Sequence, residues 1–448
     1  MAKFDICVVG AGIAGLAISE IFARSGLSVC LIDKNKYICN ETSGLHHEWF
    51  HFGSLYSFFP SSQYLRTMAG GVDDLLHYYR DFSGMNLRID ENGKLLTVNK
   101  KNAWLRDDII KYYVAKTSNQ DFHEETHHSL KKKIERTFFK FTWDKAIKKS
   151  VSRHNRYFGY DWRRGEASHN IAKLSWSDYD EGIINNVTYN KNILIDPETH
   201  FYINSLDRPM SAENIISDLI KSYISYQGQL YLNNEVISYY KDKHGYAVQL
   251  KNKDIIHSDK VIFASADGTS NLTSKVDTKK VVSPLLVTYP HVCSENFVRI
   301  TPFIDKTVNH IIHKTSNTKY SLIGGGYYAD INDKSGINLM KKDLFKQAQK
   351  FLPKVKSAQF TKIYLGTKTE FTGLRTKRNY MYSINEIDNG AYIAIPGKFS
   401  LSFSLAVNTY KKIIGHYPNT FTSYNKDIDH TKYFKYSGHR KIINEIKP

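Results

Sequence analysis

The sequence predicts an α/β fold in two parts: a doubly wound sheet, and a second, mixed sheet whose strands run mainly antiparallel. Three observations carry this. Residues 4–33 run strand, glycine turn, helix, strand and acid in immediate succession; residues 281–328 alternate short β-rich runs with turn residues; Ala391–Ile395 is a late apolar strand that turns at Pro396-Gly397 into a helix. The 448 residues are 41% apolar and 24% charged, enough to bury the cores of two domains. That excludes a disordered chain, a fibre and a disulfide-stapled miniature.

Taken in order, Phe4–Val9 is a short run of β-formers. Ile13–Ser25 then places Leu16, Ala17, Ile21 and Phe22 at helical spacing, and Gly26 is the C-terminal cap. Ser28–Ile32 is a second strand ending on Asp33. Residues 85–190 have few long apolar runs and contain a basic block, His127 to Arg164, with twelve Lys or Arg against three acids. This reads as an inserted substrate-side domain or cap. From Ser211 the pattern is regular: Ile215, Ile216, Leu219, Ile220, Tyr223 and Ile224 form one helical face, and strands are expected at Gln229–Leu232, Tyr246–Leu250 and Lys260–Ala264. Gly324-Gly-Gly-Tyr-Tyr328 suggests a turn, and Ser400–Gly415 a last helix carrying Leu401, Leu405, Ala406, Ile413 and Ile414.

The N-terminal unit has its own chemistry. In Gly10-x-Gly12-x-x-Gly15 the first glycine permits the tight turn, the second lets a pyrophosphate approach the backbone, and the third seats the helix on the strand. Ala14 lies in the helix's first turn, whose unpaired N–H groups and positive dipole end suit phosphate. Asp33 is placed to accept ribose hydroxyls, with Lys34 beside it. A Rossmann-like dinucleotide site is therefore expected here.

Thr42-Ser-Gly-Leu-His-His-Glu-Trp-Phe-His51-Phe-Gly53-Ser-Leu-Tyr56 resembles, without a gap, a segment of flavoproteins of the D-amino-acid oxidase superfamily, with most likeness to the L-2-hydroxyglutarate dehydrogenase and glycerol-3-phosphate dehydrogenase branches. Pro60, Arg66, Gly93–Val98, Ile195-Asp-Pro197, Val236, Asp259–Ala264, Thr372-Gly-Leu-Arg375 and the final strand-Pro-Gly-helix continue the likeness over about two thirds of the chain. The resemblance implies FAD. It adds Thr42, Ser43, Val236, Gly397, Lys398 and Phe399 to the cofactor-binding residues. Two departures stand out: Ala264-Ser-Ala-Asp-Gly268 where relatives have an Ala-Gly pair, and Gly397-Lys-Phe-Ser-Leu-Ser402 where they have more glycine. Independently of family, a helix opening near Ser400 would turn its positive end toward the crevice and stabilise a reduced flavin.

Three side chains are candidates for catalysis. His51 is suited to take the proton lost when an alcohol or amine is oxidised, although His46, His47 and Glu48 lie close in sequence. Arg375 and Arg378 lie where relatives bring cations to the substrate, and a guanidinium holds a carboxylate through two parallel hydrogen bonds. No histidine or cysteine spacing suggests a metal.

The expected function is hydride transfer from a C–O or C–N bond of a small anionic substrate to flavin N5. The alternatives are a flavoenzyme acting on a nucleotide- or RNA-linked group, and a non-catalytic protein that keeps the FAD fold. Lys and Arg exceed Asp and Glu by 62 to 44, an excess of 18 that admits an anionic membrane surface at residues 127–164, with nucleic acid a weaker candidate. Four scattered cysteines and the absence of a 20-residue apolar run point to a reducing cytoplasm, at most peripheral on the inner membrane face. The FAD domain is expected from residues 1–84, 195–280 and 360–415, the substrate domain from 85–194 and 281–359, and a basic extension from 416–448.

Overall fold

The computed structural model describes residues 3–58, 62–89, 95–123, 130–157, 192–274, 278–314, 318–371, 381–420 and 423–436. In chain order the first part holds β1 (Lys3–Val9), α1 (Ile13–Arg24), β2 (Val29–Ile32), β3 (Trp49–Phe50), α2 (Ser62–Tyr78), β4 (Leu87–Ile89), β5 (Leu95–Thr97), β6 (Lys111–Ala115), α3 (Leu130–Tyr157), β7 (His200–Asn204) and β8 (Arg208–Pro209). There follow α4 (Ala212–Ser225), β9 (Gln229–Tyr231), β10 (Val236–Asp242), β11 (Gly245–Leu250), β12 (Ile255–Phe263), α5 (Thr269–Leu272), β13 (Thr278–Tyr289), β14 (Phe297–Ile300), β15 (Val308–Lys314), β16 (Lys319–Gly325) and β17 (Ala329–Asp330). The chain closes with α6 (Lys334–Phe351), β18 (Phe360–Phe371), β19 (Ser383–Asp388), β20 (Ala391–Ile395) and α7 (Ser402–Ile414).

The first sheet runs β10-β11-β12-β1-β2-β9, with β20 beside the far half of β12 and β19 outside it. Its centre is parallel: β1 pairs with both β12 and β2, and β2 with β9. Alternation along β1 decides what each face covers. Ile6 and Val8 pack with α1, α4 and α7, while Cys7 and Val9 join Val248, Val261 and Ile393 on the other side. Ser211 caps α4 by accepting from the Asn214 N–H, and Gly415 closes α7 at φ 94°.

The second sheet runs β17-β13-β16-β15-β14-β6-β7, with β18 against β13 over twelve residue pairs. All of its pairings are antiparallel except β6 with β14. Met340, Leu344 and Ala348 of α6 pack with Leu286 and Ile323, and Trp143 and Ile147 of α3 pack with Val298 and Ile311. The fold is therefore α/β as expected from sequence, with a mixed second sheet. Pairing moves two segment edges: β7 and β18, placed from sequence in the first domain, complete the second sheet, because each finds its backbone partners there. Gly324 and Gly325 also end a strand instead of opening a turn. Residues 423–436 return to the first core, where Tyr424, Phe434 and Tyr436 are buried.

Candidate active site

The glycine turn is built by contact. Gly10 sits at φ 102°, and a Cβ there would lie 2.7 Å from Ser265 Cα; a Cβ on Gly15 would lie 1.8 Å from the Gly10 carbonyl oxygen. The three layers β1, α1 and the 264–265 backbone thus meet only because these residues have no side chain. Ala266 takes φ 52°, a left-handed conformation that glycine favours, so the departure at 264–268 still makes the turn. Together they wall a cavity of about 380 Å³ that includes Gly10, Gly12, Asp33, Lys34, Thr42, Ser43 and Val236, all singled out from sequence.

Asp33 accepts from the Ala11 N–H at 2.6 Å and the Asn35 N–H at 2.8 Å, so the backbone fixes its carboxylate at the cavity wall. Burial raises its pKa, and the two amides offset part of that rise. Gly12 gives α1 no side-chain cap, and the Ser43 hydroxyl accepts from the Ile13 N–H at 3.0 Å. Thr42 donates to the Thr367 carbonyl of β18 at 2.9 Å, which ties the cavity to the second sheet. Lys34 pairs with Glu41 at 3.1 Å on the rim. Ala14 and Gly15 are buried beneath the cradle. An elongated pyrophosphate cofactor of FAD's kind fits a site with this glycine floor and acid-lined end.

The remaining residues expected from sequence to hold the cofactor lie near histidines. Gly397 turns at φ 65°, and the Phe399 ring lies 4.8 Å from that of His46. His51 stacks on Trp49 at 4.2 Å with its Nδ1 3.6 Å from Asp207 Oδ2. Asp207 accepts from the Trp49 indole N–H at 2.7 Å, the Tyr112 hydroxyl at 2.7 Å and the Phe52 N–H at 2.8 Å. Burial alone would raise the Asp207 pKa, but His51 and these donors hold it below the usual carboxylate range. Burial, with the charges of Lys398 and Lys368, lowers His51 to about 4 despite the pull of Asp207. The result is a neutral imidazole backed by an ionised carboxylate. Burial likewise lowers His46 to about 4, and His47 well below its ordinary value with Lys368 and Lys398 contributing.

Asp207 and Lys368 were not legible in sequence: one sits in a polar turn and the other in an ordinary strand pattern. Glu48, near His51 in sequence, proves to be engaged elsewhere. At φ 54° it turns away to pair with His313 and accepts from the Tyr436 hydroxyl at 3.3 Å. Burial works against its charge, but His313, Arg106 and His46 outweigh it and hold Glu48 at about 2. Arg375 and Arg378 lie outside the described residues. No group of three His, Cys, Asp or Glu among the described residues could hold a metal.

The sequence model of the FAD dependent oxidoreductase family matches residues 5–129. A search of curated sequences finds no match. Among solved structures, L-proline dehydrogenase from P. horikoshii is similar over 98% of both chains at 14% identity and TM-score 0.60. L-alpha-glycerophosphate oxidase from Mycoplasma pneumoniae, with FAD bound, aligns over 96% of this chain and 99% of its own at 13% identity and TM-score 0.59. Glycine oxidase from Geobacillus kaustophilus aligns over 95% and 98% at 13% identity and TM-score 0.56. The fold is common to all three.

Proposed function

We propose that this chain, an FAD-dependent oxidoreductase, oxidises a C–O or C–N bond in a small substrate carrying a carboxylate or phosphate, with His51 as the proton acceptor. The observation that carries the reading is the neutral His51 held between Asp207 and the field of Lys368 and Lys398. When bound, FAD supplies a hydride acceptor at N5. The rest falls to the chain. His51 takes the hydroxyl or ammonium proton, Asp207 stabilises the imidazolium that forms, and Lys368 and Lys398 attract the substrate's anion. Arg375 and Arg378 are proposed as its clamp, which truncation should weaken by about 2 to 5 kcal/mol. Amino acids fit the named substrates of two similar proteins, and a glycerol phosphate that of the third; a branch assignment to L-2-hydroxyglutarate or glycerol-3-phosphate dehydrogenases stays part of this proposal. Residues 127–164 we assign to docking on an anionic surface and not to chemistry.

Anaerobic mixing of the yellow holoenzyme with a panel of amino, hydroxy and phosphorylated acids tests this. An anionic member should bleach the flavin, and Lys368→Ala should raise the concentration it needs. Bleaching by none, with photoreduction intact, would favour a binding protein that retains the fold.

A further inference from the structure

Helix α3 has two apolar faces. Phe139, Trp143, Ile147 and Ser150 turn inward, whereas Ile134, Phe138 and Phe141 lie half a turn round the helix and are 62%, 61% and 74% exposed. The inward face is accounted for by the second sheet. The outward one has no such cover among the described residues. Of the nine large apolar side chains exposed among the described residues, these three lie within two turns of one helix. A groove of about 420 Å³ lies on the other flank of the helix, between Arg136 and Phe139 on one wall and Tyr328, Leu339 and Met340 on the other, so the outward tips stand clear of it.

The charged residues of α3 whose side chains are described are mostly cations: Lys133, Lys140, Lys145 and Lys149 are exposed and Arg136 is partly covered. The acids of α3 are two: Glu135 is exposed, and Asp144 is occupied by the Thr117 N–H at 3.0 Å and hydroxyl at 2.7 Å. Apolar tips flanked by lysines on one helix match an interface with acyl chains below and acidic headgroups above.

We infer that this face, centred on Ile134, Phe138 and Phe141, docks the enzyme on an anionic lipid bilayer surface. The inference rests on the assignment of residues 127–164 to docking and is independent of the redox chemistry. Phenylalanine and isoleucine tips enter the interfacial layer while the lysines stay at headgroup level. The four exposed lysines of α3 add an attraction that salt weakens, whereas the apolar contribution survives screening.

Flotation of the holoenzyme with phosphatidylcholine vesicles, with and without phosphatidylglycerol, decides it. Binding should require phosphatidylglycerol, weaken with salt, and fall about ten-fold or more in F138S/F141S, as expected for phenylalanines leaving an apolar layer. Lys140→Gln, Lys145→Gln and Lys149→Gln should each cost about five-fold on anionic vesicles alone. Three results would overturn the inference: no retention on anionic vesicles, retention indifferent to F138S/F141S, or RNA retained in preference to vesicles. A dimer in solution that F138S/F141S dissociates would also overturn it, because a second copy would then cover the face. These side chains are exposed, so the variants should keep their flavin and its reduction rate; loss of bleaching in the wild-type enzyme would count against the proposed chemistry and leave docking standing.

Discussion

Asp33 and His51 carry the two roles proposed for the site, and each can be tested alone. Asp33→Ala removes a charged acceptor from the ribose end and should weaken FAD retention by about 1.5 to 3 kcal/mol, read by equilibrium dialysis of the flavin. His51→Gln should slow anaerobic flavin reduction by about 10²-fold. The pH profile gives the sign. With His51 lowered to about 4, the folded enzyme keeps a proton-accepting imidazole down to that pH, so the acidic limb of the rate should lie near 4 and vanish in the variant. An unchanged limb would shift the role to His46. The glycine turn and Asp33 were readable because one βαβ unit keeps them within thirty residues. Asp207 was not, because it reaches His51 across 156 positions and its neighbours carry no pattern.

At the scale of elements, β16 and the returning segment 423–436 are the informative pieces. A Cβ on Gly324 would lie 2.3 Å from His47 Nε2, so strand and imidazole touch where no side chain intervenes. Gly324→Ala should displace His47 and change the flavin absorption bands with little loss of global stability, since the strand's pairing is untouched. The triple glycine signalled a tight spot, but a turn and a close approach look alike in sequence. The segment 423–436 was read as a basic extension; its aromatic residues prove to fill the first core, with Tyr424 donating to Asp218 at 2.6 Å. Tyr424→Ala should destabilise the protein by about 3 to 5 kcal/mol in denaturant unfolding. Short apolar residues scattered through polar sequence have no period to betray them.

The whole molecule carries a titration that no single motif shows. Burial lowers His46, His51, His200 and His310 to about 4, against an ordinary 6.5. Below 6.5 the unfolded chain takes protons that the folded chain refuses, so stability should be full above 6.5 and decline as pH falls toward 4, by about 1.4 kcal/mol per pH unit for each histidine. Melting temperatures across that window, compared with a His310→Asn variant, measure the slope, and a flat profile would contradict the burial of these rings. The α/β class and both sheets were legible from local periodicity. Sheet membership of β7 and β18 was not, because long-range pairing is settled by partners 90 or so residues away, as between β6 and β7, and strand patterns do not name their neighbours.

The contact between Tyr436 and Glu48 also bears on biosynthesis. Glu48 leaves the ribosome early, and its hydroxyl partner follows 388 residues later. At translation speeds of about 5 to 20 residues per second that gap lasts tens of seconds, during which the βαβ unit can already have formed. The nascent chain therefore has the β1-α1-β2 half of its cavity, and later the 264–268 turn that closes it, before the segment that covers Glu48 is made.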